Sequence, residues 1–189
     1  MFLLPKPSPA EIERFLAAST ELPLSYQPVG IARETPRGYQ LDQASVVVGR
    51  GEAAFARAVA ALDRWAHFEL GWVEIVPKGA PTTPGTVVAV RARHLGFWSL
   101  HGCRVLYPIG DRNGREYGFA YGTLTNHGER GEEIFQVTLD EKTGEVRYEI
   151  RAVSQPRALL AKLGYPITRA LQAKFRRDSG RAMQQAVQE

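Results

Sequence analysis

The sequence predicts an α+β fold in which a curved antiparallel sheet of about seven strands grips a long C-terminal helix. Three observations predict it. From Val73 to Val153, β-branched and aromatic runs alternate in polarity and are broken by "PKGAPTTPG", "LG", "GDRNG", "TNHGERG" and "DEKTG". Each break carries turn residues and none has room for a crossover helix, so neighbouring strands run antiparallel. One strand and one amphipathic helix precede this meander. After it, apolar residues recur at helical spacing to the end of the chain, and a long helix can cover the apolar face of a twisted sheet.

The elements follow in order. "SPAE" at Ser8–Glu11 is a helix start, with Ser8 as N-cap, Pro9 at N1 and Glu11 completing a capping box. Ile12, Phe15 and Leu16 then share one face, and the helix is expected to end near Ser19. Residues 20–40 hold three Pro and two Gly and read as irregular. Ala44 to Val48 is a strand, and Phe55, Val59, Leu62 and Trp65 predict a helix from Glu52 to about His67.

The junction between them spells G-x-G-x-x-A at Gly49, Gly51 and Ala54, with Glu69 near the distance of a ribose-binding acid. A dinucleotide site needs repeated βαβ units. Strands without crossover helices follow here, so the junction reads as a tight strand-to-helix turn.

The expected meander strands are 72–76, 85–95, 98–107, 115–124, 131–140 and 145–154. Period two puts Val146, Tyr148, Ile150 and Ala152 on one face, and Glu133 on the apolar face of Phe135, Val137 and Leu139. In 115–124, the small side chains of Gly118, Ala120 and Gly122 imply close approach by something bulky. Leu159, Leu160 and Leu163 lead to a break at Gly164-Tyr165-Pro166. The stripe from Ile167 to Val187 is then about 20 residues, or ~30 Å.

A chain of 189 residues suits a single domain, with residues 1–40 as an N-terminal helix and irregular segment and 41–189 as the core. Hydrophobic residues at 44% and charged residues at 23% place it among globular proteins. No apolar run reaches the ~20 residues of a membrane helix, and "MFLL" is too short for a signal-peptide core. A lone Cys103 excludes an internal disulfide and a multi-cysteine zinc site, and a reducing cytoplasm is the simplest setting. Residues 156–189 hold seven basic and two acidic side chains. A basic helix can bind nucleic acid or a membrane surface, but more often it is a solvated face, so a nucleic-acid partner is not expected.

Several motifs resemble a known family. They are "YQPVGIARETPRGYQ" (Tyr26–Gln40), "GRGEAAF" with Trp65 after it, "GTVVAV" (Gly85–Val90), "CRVLY" (Cys103–Tyr107), "YGFAYGTLTNHGERGEEIF" (Tyr117–Phe135), "IRAVSQP" and "LGYP". The chain is similar through them to the domain-of-unknown-function family nineteen-ninety, over about Tyr26 to Val187. Where that family usually has Gly-His-Pro-Glu, this chain has Asn126-His127-Gly128-Glu129, and loss of the Pro leaves the turn less rigid. The resemblance implies the helix-grip arrangement of START-like and pollen-allergen-like proteins, and it implies no activity.

The densest chemistry lies in "YGTLTNHGERGEE", Tyr121–Glu133, read as a strand, a turn and a second strand. His127 and Glu129 are acid–base or ligand candidates near the turn, beside Arg130. Glu133 is the sharpest, because a carboxylate on an apolar strand face needs a cation, a proton or a ligand. Arg104 is either an outward structural cation or an anchor for an anion. The expected ligand-binding set is Arg104, Tyr121, Thr123, His127, Arg130 and Glu133. His127, Glu129 and Glu133 are the catalytic candidates if there is a reaction. The four histidines are scattered, so neither a metal nor another cofactor is expected.

Three functions stay open. The first is a binding module for a small amphipathic or lipid-like ligand, with a cavity between sheet and helix. The second is an acid–base enzyme of the cyclase, isomerase or hydratase kind in the same cavity. The third is an interaction protein working through the basic C-terminal helix.

Overall fold

The computed structural model describes residues 2–94, 96–156 and 165–188. The sheet contains β1 (Phe2–Leu3), β2 (Gln40–Arg50), β3 (Val73–Val76), β4 (Val87–His94), β5 (Phe97–Gly110), β6 (Glu116–Thr123), β7 (Glu129–Leu139) and β8 (Glu145–Pro156). Around it lie α1 (Pro9–Thr20), α2 (Gly51–Asp63), a 3-10 turn at Ala66–Phe68, and the C-terminal helix, here α3 (Tyr165–Gln188). The order across the sheet is β2-β8-β7-β6-β5-β4-β3, antiparallel throughout, with β1 added to the start of β5.

The meander needs only local pairing, because each strand from β3 to β8 lies beside its successor. The long-range step is β2, which precedes the meander yet pairs along β8 from Gln40↔Ser154 to Arg50↔Glu145. The curled sheet then has two differently covered faces. Its concave face carries Val105, Phe119, Phe135, Val137, Tyr148 and Ile150. Phe55 and Leu62 of α2, Phe68, and Met183 and Val187 of α3 cover that face. The convex face is covered by the N-terminal region. Ile12, Phe15 and Leu16 of α1 pack on Ala89 and Leu100, and Tyr26, Ile31 and Ala32 pack on Ala120, Ile134 and Val153.

The capping box of α1 is present: the Glu11 N–H donates to Ser8 Oγ (3.3 Å) and the Ser8 N–H to Glu11 Oε2 (2.8 Å). The helix expected to reach His67 ends instead at Asp63. Trp65 adopts a left-handed backbone (φ 62°, ψ 31°), the chain resumes as a 3-10 turn, and Trp65 Nε1–H donates to the Ala80 carbonyl at 2.8 Å. Burial of the indole outweighs the cost of that backbone.

β2 starts at Gln40 rather than Ala44. β7 starts at Glu129 rather than Gly131, because β8 is long enough to pair with Glu129 and Arg130 through Pro156 and Gln155. The turn therefore shrinks to residues 124–128. At the G-x-G-x-x-A junction, a Cβ on Gly49 would lie 2.7 Å from the Ala54 Cβ and 3.1 Å from Val187, so this glycine lets β2, α2 and α3 meet. The bulky neighbour expected against the small face of β6 is Tyr26, whose hydroxyl would lie 2.4 Å from a Cβ on Gly122. Leu159, Leu160, Leu163 and Gly164 lie outside the described residues, and Pro166 sits in the first turn of α3.

Candidate functional site

Alternation along β7 puts Glu129, Glu133, Phe135 and Val137 on the concave side and Glu132 on the convex side. Glu133 lies opposite Tyr121 of β6, and the Tyr121 hydroxyl donates to its Oε2 at 2.9 Å. Burial pushes the Glu133 carboxyl up to about 7. The Tyr121 hydrogen bond and the charge of Arg176 oppose the rise, and Glu129 adds to it. Glu133 as a residue is half-buried.

Two further carboxyls meet α3. Glu129 accepts from the Gln172 side-chain amide at 2.9 Å on both oxygens. Burial raises its pKa, against the Gln172 hydrogen bond and the charge of Arg169. Asp42 of β2 takes a two-pronged pair from Arg169, one arm at 2.6 Å, and a second pair from Arg176 at 3.2 Å. Burial pushes Asp42 up, but the two guanidiniums outweigh it and hold the carboxyl below its ordinary range. Strands β2 and β7 are thus latched to one face of α3 through Arg169, Gln172 and Arg176. Their i, i+3, i+7 spacing is the signal for this face in the sequence; Asp42 carries none.

His127 Nδ1 accepts from the Glu129 N–H at 3.0 Å, and its ring lies 4.7 Å from that of His101. Burial lowers the His127 pKa to about 4 and that of His101 well below the usual value, so both are neutral at pH 7. Cys103 is fully buried on the concave face, and burial pushes its thiol up, away from the thiolate.

Of the expected ligand-binding set, Arg104 and Arg130 lie on the other face, and Thr123 is taken up in closing the hairpin. Arg104 points to the convex side, where its guanidinium donates to the carbonyls of Thr20 (2.7 Å) and Leu22 (3.1 Å) at the end of α1. It therefore caps a helix rather than anchoring a concave-face ligand. Thr123 Oγ1 closes the hairpin by accepting from the Gly131 N–H at 2.9 Å, and it meets Ser25 Oγ at 2.6 Å. Arg130 has the convex parity of Glu132. Tyr121, His127, Glu129 and Glu133 remain at one end of the concave side.

The open space on that side lies between sheet and C-terminal helix, and it sits at the edge of the sheet. Trp65, Phe68 and α2 fill the middle. A cleft of about 500 Å³ opens at the sheet edge, between β2–β8 and α3. Ala44, Val46, Tyr148 and Ile150 form its floor, and Arg176, Arg177 and Arg181 stand on its helix side. Glu133 pairs with Ala152, one concave position beyond Ile150, so the carboxyl adjoins the floor. Much of the basic charge of α3 is answered within the chain: Arg169 and Arg176 by Asp42, Lys174 and Arg181 by Asp178. Among the described residues, no group of three His, Cys, Asp or Glu is placed to hold a metal, and no helix is long and apolar enough to cross a membrane.

Comparison with known proteins agrees with this architecture. The sequence model of a family described as "Domain of unknown function (DUF1990)" matches residues 25–182. A "UPF0548 protein" of Dictyostelium discoideum is 34% identical over 207 residues, covering 99% of this chain and 96% of the relative. Another, from Deinococcus radiodurans, is 34% identical over 201 residues, covering 99% of each. Among solved structures, the Zhui aromatase/cyclase from Streptomyces sp. R1128 superposes with a TM-score of 0.53 at 15% identity, covering 79% of this chain and 94% of that one. That likeness extends to the helix-grip fold alone.

Proposed function

This chain belongs to the family described as a domain of unknown function (DUF1990), and from that premise we propose that it is a binding module for a small amphipathic molecule held between the sheet edge and α3. The observation that carries this reading is the cleft of about 500 Å³, with an apolar floor and guanidiniums along its helix side. That volume lies in the range of small-molecule sites, and the composition suits an apolar body with an acidic head. Tyr121, Glu129, Glu133 and His127 form the polar end beyond the floor.

Native mass spectrometry of freshly purified protein tests it, with titration of a fluorescent amphipathic carboxylate alongside. We expect a retained mass or saturable uptake of the probe, lost in Ala44→Trp, which fills the floor, and weakened by Arg176→Leu. A clean apo mass together with no saturable uptake sinks the reading.

One observation favours a second reading, acid–base catalysis. Glu133, at about 7, is poised to exchange a proton near neutral pH and has a hydroxyl partner in Tyr121. Turnover of a bound ligand that disappears in Glu133→Gln while binding persists would establish it.

A further inference from the structure

A second surface lies away from the cleft. β1 adds to the free start of β5 with Phe2↔Ser99 and Leu3↔Trp98, so Leu4 follows towards the Phe97 end of the β4–β5 hairpin. Leu4 is 72% exposed and Phe97 45% exposed. On the other face of the same strand, by alternation, the half-buried Trp98 ring is ringed by cations: Lys6 Nζ at 5.6 Å and the guanidinium carbons of Arg91 and Arg93 at 5.7 and 5.9 Å. Glu74 answers Arg91, whereas Lys6 and Arg93 are exposed to solvent. The antiparallel order puts this hairpin tip at the same end of the sheet as the starts of β2 and β7, where Asp42 and Glu129 meet α3.

We propose that this tip, made of Leu4, Lys6, Arg93, Phe97 and Trp98, docks on an anionic lipid bilayer. Two exposed apolar side chains stand on one face of the tip and an indole girdled by cations on the other, so a tip entering end-on brings both to the same depth. A membrane interface accommodates all three at once: acyl chains for Leu4 and Phe97, the headgroup level for Trp98, and anionic headgroups for Lys6 and Arg93. A second copy of the chain would bring the same cations face to face. A nucleic acid would answer the cations and leave Leu4 and Phe97 in water. Docked this way, the protein would turn the polar end of its concave side towards the membrane.

Vesicle flotation of the full chain tests the proposal, using phosphatidylcholine with and without phosphatidylserine. The protein is expected to float with the serine-containing vesicles, and less so as salt rises. Lys6→Gln and Arg93→Gln should each lower partitioning about fivefold. The pair Leu4→Asp and Phe97→Asp should abolish it with the thermal unfolding midpoint unchanged. The cleft-filling Ala44→Trp should float like the wild type, which separates this surface from the ligand site. Failure of the wild type to float, or flotation unaltered by Leu4→Asp and Phe97→Asp, overturns the proposal. So does dimerisation in solution that these two changes abolish, since the surface would then be an interface between copies.

Discussion

Glu132 and Glu133 are adjacent, chemically identical and differently placed. Glu132 accepts from the Tyr26 hydroxyl (2.7 Å), the N–H groups of Gly30 (2.9 Å) and Ala32 (3.3 Å), and the Tyr107 hydroxyl. Glu133 has Tyr121, and burial lifts it from 4.5 to about 7. Its proton is therefore held more tightly in the folded state than in the unfolded chain. The stability this confers is complete below about pH 4.5 and is lost as the pH rises through about 7. Glu133→Gln should match the wild type near pH 4 and exceed it near pH 8 by about 3 kcal/mol. Urea unfolding at the two pH values measures this, and equal stability at both would mean a solvated carboxylate. Strand parity alone exposed Glu133 as a candidate. It could not say that Arg104 lies across the sheet, because which face of β5 points inward depends on what packs over it.

At the scale of elements, α1 was legible because its capping box is local, closed between Ser8 and Glu11. The segment after it was legible only as irregular. Its order comes from Glu132, whose partners Tyr26, Gly30 and Ala32 lie a hundred or more residues away in sequence. Glu132→Ala leaves two hydroxyls and two N–H groups without their acceptor, and should cost about 3 kcal/mol. Hydrogen exchange should rise across residues 26–32 while β7 and β8 stay protected. Unchanged exchange there would show that Ile31 and Ala32 hold the segment by packing alone. β7 starts two residues before the expected position for a similar reason. "NHGERG" is rich in turn formers, and the length of β8 overrode them.

Across the whole molecule, the fully buried His67 and the half-buried His127 and His101 weigh on the acid side of stability. Neither nitrogen of His67 has a hydrogen-bond partner among the described residues. The ring lies among Trp65, Phe68, Phe119, Phe135 and Tyr148, and burial lowers its pKa to about 3. His127 is lowered to about 4, chiefly by burial. His67 and His127 favour folding when neutral, so their contribution is full above about pH 6.5 and is lost as the pH falls through about 4 and then 3. His67→Phe removes two unpaired buried polar atoms. It should raise stability by about 1–2 kcal/mol at pH 7, and by more in acid. Thermal unfolding across that range checks it. A loss of stability would instead show that the imidazole holds a buried water or ligand.

Alternation and turn residues between Val73 and Val153 determined an antiparallel meander, and helical period determined the long C-terminal helix. Both signals are local, since a strand's inner and outer positions and a helix's apolar stripe are written in adjacent residues. Tertiary structure alone decided that β2 returns to pair with β8, that Arg169, Gln172 and Arg176 latch onto Asp42 and Glu129, and that the open space is a cleft at the sheet edge. Those outcomes depend on which surfaces close over one another. Trp65 and Phe68 fill the centre, so the room that remains lies where α3 crosses the edge strand.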